Sequence, residues 1–286
     1  MILPPIGSVQ AFDPSGGTGV AEAAADFGVL QILSSACSPN FEEVASAIQG
    51  PKIYQLYLMG DEEWMDDIIE RSVDAGYVGF CLTADTQVYS RRERDILKGY
   101  IPMSGRQASA KAPAFNYQTT MSWDTVAHIK DKYSIPLIVK GVMDASDAAR
   151  CVEAGVDVVY VSNHGGRQLD HTKACIDALP DVVEAVDGRV PVVVDGGFLR
   201  GADVVKALCL GATAVGMGRF EGFAMAAGGP AALVQALKIL EHEVQITMAL
   251  LGVRTLEELT SDLVERAEIM APAHVTSAFP FLAEGY

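Results

Sequence analysis

The chain is short of positive charge. It sets 21 Lys and Arg against 37 Asp and Glu, a formal net charge of -16. A surface so acidic excludes general nucleic-acid binding, which needs a basic field, and suits a soluble enzyme. Cysteine is sparse and scattered: Cys37, Cys81, Cys151, Cys175 and Cys209 form no CxxC pair. This excludes a disulfide scaffold and any zinc site of ordinary spacing, so no metal is expected. The thiols are expected to be reduced and mostly buried, in a cytoplasmic protein. The opening MILPPIGSVQ lacks a basic segment followed by an apolar one, so no signal peptide is expected. No apolar run reaches spanning length without a charge or a break, so no membrane span is expected. No GxGxxG follows the first apolar run, which counts against an open dinucleotide-binding sheet.

What is present is core-forming sequence with a regular beat. Half of the 286 residues are hydrophobic and a fifth are charged, enough for one large core. Apolar strands alternate with amphipathic helices. Short strands read at Val29–Leu33, Ile53–Leu58, Val78–Leu82, Pro136–Val139, Val156–Val161, Val190–Val194 and Ala212–Val215, and Ile2-Leu3-Pro4 supplies the end of an eighth. Helices are predicted at Gly19–Phe27, Phe41–Ile48 (capped by the Ser38-Pro39-Asn40 turn), Asp61–Asp74, Trp123–Tyr133, Ala145–Ala154, Ile176–Val186, Ala202–Leu210 and about Ala231–Leu251. Thr255 and Glu258 read as a capping box for a last short helix. The tail from Pro272 has no period. Eight strand–helix units in this length predict an α/β protein, a (β/α)8 TIM barrel forming a single domain over residues 1–286. The beat breaks after the fourth strand. Residues from about Thr86 to Thr120 form a long loop with Arg91, Arg92, Arg94, Lys98, Arg106 and Lys111. For most of these the plain reading is a solvated basic face; the functional one is a lid that attracts an anion.

In such a barrel the chemistry lies at the carboxyl ends of the strands. Those ends read Ser34, Gln55 with Tyr57, Thr83 with Asp85, Lys140, Ser162 to Arg167, Asp195, and Gly218-Arg219. One polar turn residue is unremarkable, but a polar group from nearly every strand converges on one rim. The most suggestive end is VDVVYVSNHGGRQLD, where a buried strand turns polar and sets His164 and Arg167 on either side of two glycines. The His can take a proton near neutral pH, and the Arg offers a fork to a carboxylate or phosphate. The last two ends, Asp195-Gly196-Gly197 and Gly216-Met217-Gly218-Arg219, have the make-up of a phosphate cradle at the place barrels favour.

SNHGGRQLD, with LTADT, RRERD, IVKG, DGG and GxGR, closely resembles the FMN-dependent 2-hydroxy-acid oxidases and dehydrogenases over essentially the whole chain. That family includes glycolate oxidase, lactate oxidase, mandelate dehydrogenase and the flavin domain of flavocytochrome b2. The resemblance implies FMN as cofactor, a small L-2-hydroxy acid such as lactate or glycolate as substrate, and oxygen, a quinone or a protein as electron acceptor. It also implies a homotetramer. By the same resemblance His164 would be the base, Asp85 would stabilise its imidazolium, and Lys140 would sit by flavin N1 and O2. Arg167 and Arg92 would hold the substrate carboxylate, and Tyr57 would reach a substrate oxygen. Gln55, Thr83 and Ser34 would bond the flavin's polar edge, with the backbone of Pro5, Ile6 and Gly7 beside N5. Ser162, Asp195, Gly196, Gly197, Arg200, Gly218 and Arg219 would hold ribityl and phosphate.

Two departures from the family pattern stand out. Members usually carry an N-terminal segment that supplies a substrate-binding Tyr, whereas this sequence opens at the first barrel strand. An alternative reading is therefore a flavin- or phosphate-binding barrel that is catalytically impaired. The family often has Arg at the place of Leu199, where only Arg200, one position on, remains. A third reading, from the residues alone, is a sugar-phosphate isomerase or aldolase with Lys140 as a Schiff-base amine.

Overall fold

A computed structural model describes residues 1–90, 97–99, 116–169 and 171–267. Arg92, the neighbouring Arg91, Arg94, Arg106 and Lys111, and the tail from Pro272 lie outside the described residues.

Eight parallel strands follow in chain order: β1 (Ile2–Leu3), β2 (Leu30–Ser34), β3 (Lys52–Leu56), β4 (Gly79–Thr83), β5 (Leu137–Val142), β6 (Val158–Val161), β7 (Val192–Val194) and β8 (Ala214–Val215). Each pairs with the next, and a parallel bridge from Ile2 to Gly216 joins the last to the first. The sheet is thus the predicted barrel. Around it lie α1 (Gly16–Phe27), α2 (Phe41–Ala47), α3 (Glu62–Asp74), α4 (Trp123–Lys132), α5 (Ala145–Glu153), α6 (Cys175–Val186), α7 (Gly201–Cys209) and α8 (Gly218–Leu251). The helix starts follow local chemistry. Asn40 accepts from the Glu43 amide and Asp61 from the Trp64 amide, each satisfying an amide the helix itself leaves free. Ser122 and Thr125 close a reciprocal box on α4.

The period of two in each strand sorts residues between two layers. Ile2, Ile32, Ile53, Cys81, Ile138, Tyr160 and Val193 form one buried cluster inside the barrel. Their strand neighbours, among them Leu33, Tyr54, Phe80, Val139, Val159 and Val194, pack outward in the larger core beneath the helices. Phe41, Tyr54, Tyr77 and Phe80 add ring contacts at 4.6 to 6.3 Å between centroids there.

The last long helix lies where the sequence predicts it: α8 is two helical segments divided where Gly228 and Gly229 (φ 63°) leave helical geometry, and the second restarts at Pro230 and runs to Leu251. The first segment, which opens at Gly218, is an addition to the expected elements. Glycine tolerates that backbone, and Pro230 restarts a helix cleanly because its missing N–H costs nothing in a first turn. By length and composition α8 could cross a membrane, but the break divides it, and it packs along α1 and α7. The Thr255–Glu258 capping box is not formed. Leu256–Glu258 is a single 3-10 turn without a side-chain cap from Thr255. A turn that short carries no further helix, and Glu258 accepts from the Arg254 amide instead. The connection between β4 and α4 falls largely outside the described residues; its described end is a 3-10 turn at Tyr117–Thr120 before α4.

Candidate active site

The rim grows directly out of the strand alternation. Ser34, Gln55, Thr83, Lys140, Ser162 and Asp195 each lie two residues beyond an interior apolar residue of the same chain segment: Ile32, Ile53, Cys81, Ile138, Tyr160 and Val193. All six are buried. Tyr57, Asp85 and His164 lie two residues further still. One polar floor therefore caps the apolar plug, and a second tier stands above it.

The floor has two clusters. Gln55 donates through Nε2 to Thr83 Oγ1 at 2.9 Å, and its Oε1 is buried with no donor among the described residues. Lys140 donates to Ser162 Oγ at 2.6 Å, and that hydroxyl donates to Asp195 Oδ1 at 2.6 Å. Asp195 Oδ2 stands 3.1 Å from Lys140 Nζ, which also lies 4.9 Å from the centre of the Tyr160 ring. Burial disfavours the Lys140 charge, but Asp195, aided by Asp85 and Tyr57, outweighs it and holds the ammonium's pKa above the ordinary lysine range.

The upper tier is a three-residue array. His164 Nδ1 is 2.6 Å from Asp85 Oδ2, and Nε2 is 3.2 Å from the Tyr57 hydroxyl. With Nδ1–H given to the carboxylate, the neutral ring presents its Nε2 lone pair toward Tyr57 and the barrel mouth. His164 takes a left-handed backbone, φ 54°, uncommon for a side-chain-bearing residue and a form of strain that clusters at functional sites. Asp85 Oδ1 is buried without a donor among the described residues.

The carboxyl ends of β7 and β8 complete the rim. Gly196 and Gly197 have positive φ. A β-carbon at Gly216 would stand 2.2 Å from the Tyr160 hydroxyl, so only glycine fits. Gly218 opens α8, whose first amides have no intrahelical partner, the make-up of an anion seat. Arg219 bonds the Gly165 carbonyl, tying this corner to the loop that carries His164. Behind it Glu221 is buried, its Oε2 lacks a donor among the described residues, and burial raises its carboxyl pKa well above the usual range.

The structure thus brings Ser34, Gln55, Tyr57, Thr83, Asp85, Lys140, Ser162, His164 and Asp195 to one end of the barrel. Pro5, Ile6 and Gly7 follow β1 beside the loop after β2, where the Ser8 amide donates to the Ala36 carbonyl at 2.9 Å. Arg167 is exposed on the His164 loop. Arg200 departs from its expected role: its guanidinium pairs with Glu243 at 2.7 Å, and the Gly201 amide donates to the same carboxylate. One place after the family's arginine, its side chain runs to α8. Two residues went unnoticed in the sequence. Buried Gln118 accepts from the Leu58 amide at 2.6 Å and donates to the Thr83 carbonyl, pinning the end of the long loop. Gln168 donates to the Asp85 and Val88 carbonyls. Gln118 sits in an aperiodic stretch and gave no signal; Gln168 lies inside the singled-out motif but carries no charge or proton to draw notice.

Residues 1–266 match the model of the FMN-dependent dehydrogenase family. The chain is 39% identical over 277 residues to a peroxisomal (S)-2-hydroxy-acid oxidase, GLO4, of Oryza sativa subsp. japonica, covering 91% of this chain and 75% of that one. To glycolate oxidase of Spinacia oleracea it is 37% identical over 278 residues, with 91% and 75% covered. Among solved structures, mandelate oxidase with 3,3-difluoro-2-hydroxy-3-phenylpropionic acid superposes with a TM-score of 0.83 at 35% identity, covering 91% of this chain and 77% of that one.

Proposed function

The chain belongs to the FMN-dependent dehydrogenase family and is an FMN-dependent 2-hydroxy-acid oxidase or dehydrogenase, and from that premise we propose how its own residues divide the work: it oxidises a small L-2-hydroxy acid to the 2-oxo acid with His164 as the base. The observation that carries this reading is the Tyr57–His164–Asp85 array standing directly above Lys140.

The residues present fit FMN. The orphaned acceptor Gln55 Oε1 suits a ring N–H donor, and the cationic Lys140 suits a ring edge that gains negative charge. The first amides of α8 with Arg219 suit a phosphate monoester. In this reading Gln55, Thr83, Ser34 and the backbone of Pro5, Ile6 and Gly7 line the ring. Ser162, Asp195, Gly196, Gly197, Gly218 and Arg219 hold ribityl and phosphate, while Arg200 serves the α7–α8 contact. FMN held by these residues would supply the two-electron acceptor for oxidation of the substrate carbon. Arg167 and Arg92 clamp the substrate carboxylate, and Tyr57 reaches a substrate oxygen. His164 Nε2 takes a proton from the 2-hydroxy acid, and Asp85 stabilises the imidazolium that results. The Schiff-base reading loses ground, because Lys140 is held charged by Asp195 and a charged amine is no nucleophile.

The names of the relatives support oxygen as electron acceptor, glycolate among the substrates, and peroxisomes as one home of such enzymes. A cytoplasmic place for this chain and a homotetrameric assembly complete the proposal. The test is the visible spectrum of the FMN-loaded protein under anaerobic glycolate, L-lactate and mandelate. Bleaching by at least one is expected; if none bleaches the flavin, the catalytic reading is lost.

A further inference from the structure

Asp85 is fixed less by its carboxylate than by its backbone. One carboxylate oxygen meets His164 at 2.6 Å, and the other is buried without a donor among the described residues. The carboxylate plane therefore depends on where the main chain puts it, and that main chain sits in a tight seat. Gly141, at φ 107° in the bulge of β5, lies so close that a β-carbon there would come within 2.8 Å of Asp85 N, Cβ and Cγ. From the other side, Gln168 Nε2 donates to the Asp85 carbonyl at 3.1 Å and to the Val88 carbonyl at 3.2 Å. The Ser90 hydroxyl returns a bond to the Arg167 carbonyl. The loops after β4 and β6 are thus laced by side-chain donors of each loop on carbonyls of the other, and the lacing joins the segment that carries the acid to the segment that carries the imidazole. His164 itself is held in a strained left-handed backbone, a geometry that persists only where its surroundings over-determine it.

We infer that Gln168 is a positioning residue for the His164–Asp85 pair, its one amide group clamping two carbonyls of the Asp85 loop. The inference rests on the roles given to His164 and Asp85 above. The two geminal N–H donors of the amide let one side chain satisfy both carbonyls without adding a charge beside the His164–Asp85 pair. A catalytic pair displaced by about 1 Å loses up to about 100-fold in rate, so the clamp acts on turnover without touching substrate.

The experiment uses the FMN-loaded full chain and Gln168→Met, which keeps the length and removes the donors. The rate constant for anaerobic flavin reduction is expected to fall about 10- to 100-fold. Substrate and FMN dissociation constants should stay near those of the wild type, since Gln168 is placed against neither. Because Gln168 acts through Asp85, adding Gln168→Met to Asp85→Ala should cost less than about threefold more. The downfield proton of the His164 Nδ1–H···Asp85 bond, read by NMR, should be present in the wild type and lost in Gln168→Met. That signal needs no turnover, so it tests the clamp even if no 2-hydroxy acid bleaches wild-type flavin, the result that would sink the functional reading alone. If Gln168→Met does not fold, Gln168→Asn, one methylene short, is read in the same cycle. Wild-type reduction with the NMR signal intact, or an equal loss in both backgrounds, overturns the clamp.

Discussion

Replacing Asp85 with Asn isolates the electrostatic part of the proposed proton transfer. The side chain keeps its shape, and the change removes one charge at 2.6 Å from His164 Nδ1. Unit charges at that separation attract by about 6 kcal/mol at an effective dielectric near 20. Both side chains are partly exposed, 18% and 15%, and both lose solvation, so roughly 2–4 kcal/mol is a fair net figure for a charge-assisted pair. At about 1.4 kcal/mol per tenfold, that is a loss of roughly 30- to 1000-fold in the rate at which substrate reduces the flavin. An anaerobic stopped-flow trace at the flavin band reads this rate directly, and saturation with substrate separates it from binding. The oxidised flavin spectrum should be unchanged, because Asp85 stands in the tier above the floor. Reduction at close to the wild-type rate would refute the reasoning, since a base whose imidazolium gains nothing from a carboxylate at this distance is not charged in the slow step.

Other expectations follow from the same geometry. Glu221→Met removes a buried carboxyl whose Oε2 lacks a donor among the described residues and should stabilise the fold at neutral pH by roughly 1–3 kcal/mol, read by calorimetry as a raised Tm. The sign with pH is fixed: the folded-state pKa is raised by burial, so the folded state holds this proton more tightly, and wild-type stability falls as pH rises above the ordinary glutamate range. The advantage of the variant should therefore shrink toward pH 4; an equal advantage at pH 4 and 7 would count against it. Lys140→Met leaves Asp195 buried without its cation and should cost about 3–5 kcal/mol in denaturant unfolding, while slowing flavin reduction. Gly216→Ala drives a methyl into the Tyr160 hydroxyl and should cost about 1–3 kcal/mol and weaken FMN retention on dialysis.

Where the sequence was legible, it was so because one physical rule repeated. A buried parallel strand must be apolar along its length, so a polar residue two places past an interior one stands out, as with Gln55 beyond Ile53 or Lys140 beyond Ile138. The eight-unit rhythm and the Asn40 and Asp61 caps came from the same kind of local signal. What stayed hidden has no local signature. Gly218–Ala227 carries no predicted element, because Gly218 and Gly222 weaken a helical pattern that tertiary packing nonetheless supports. Arg200 keeps the charge of a phosphate ligand, but a shift of one place in the chain aims it at Glu243. Gln118 and Gln168 are neutral amides whose importance lies in carbonyls distant in the chain, and Gly141 matters only because Asp85 approaches it from another strand.

The seam from Ile2 to Gly216 gives this barrel a particular folding problem. Each strand beside it has two residues, and the bridge joins points near opposite ends of the described barrel. Every other neighbouring pair of strands is consecutive in the chain and can zip up in order, whereas this one must wait for a search over most of the chain. Ring closure is therefore expected to be the late, slow event, and the seam the first place to open. Gly218, at the proposed phosphate seat, lies next to that seam, with Pro4 of the opposing segment 3.8 Å from where its β-carbon would be. An anion seated there would act as a rivet across the closure, so that loading the cofactor and completing the fold become one thermodynamic event.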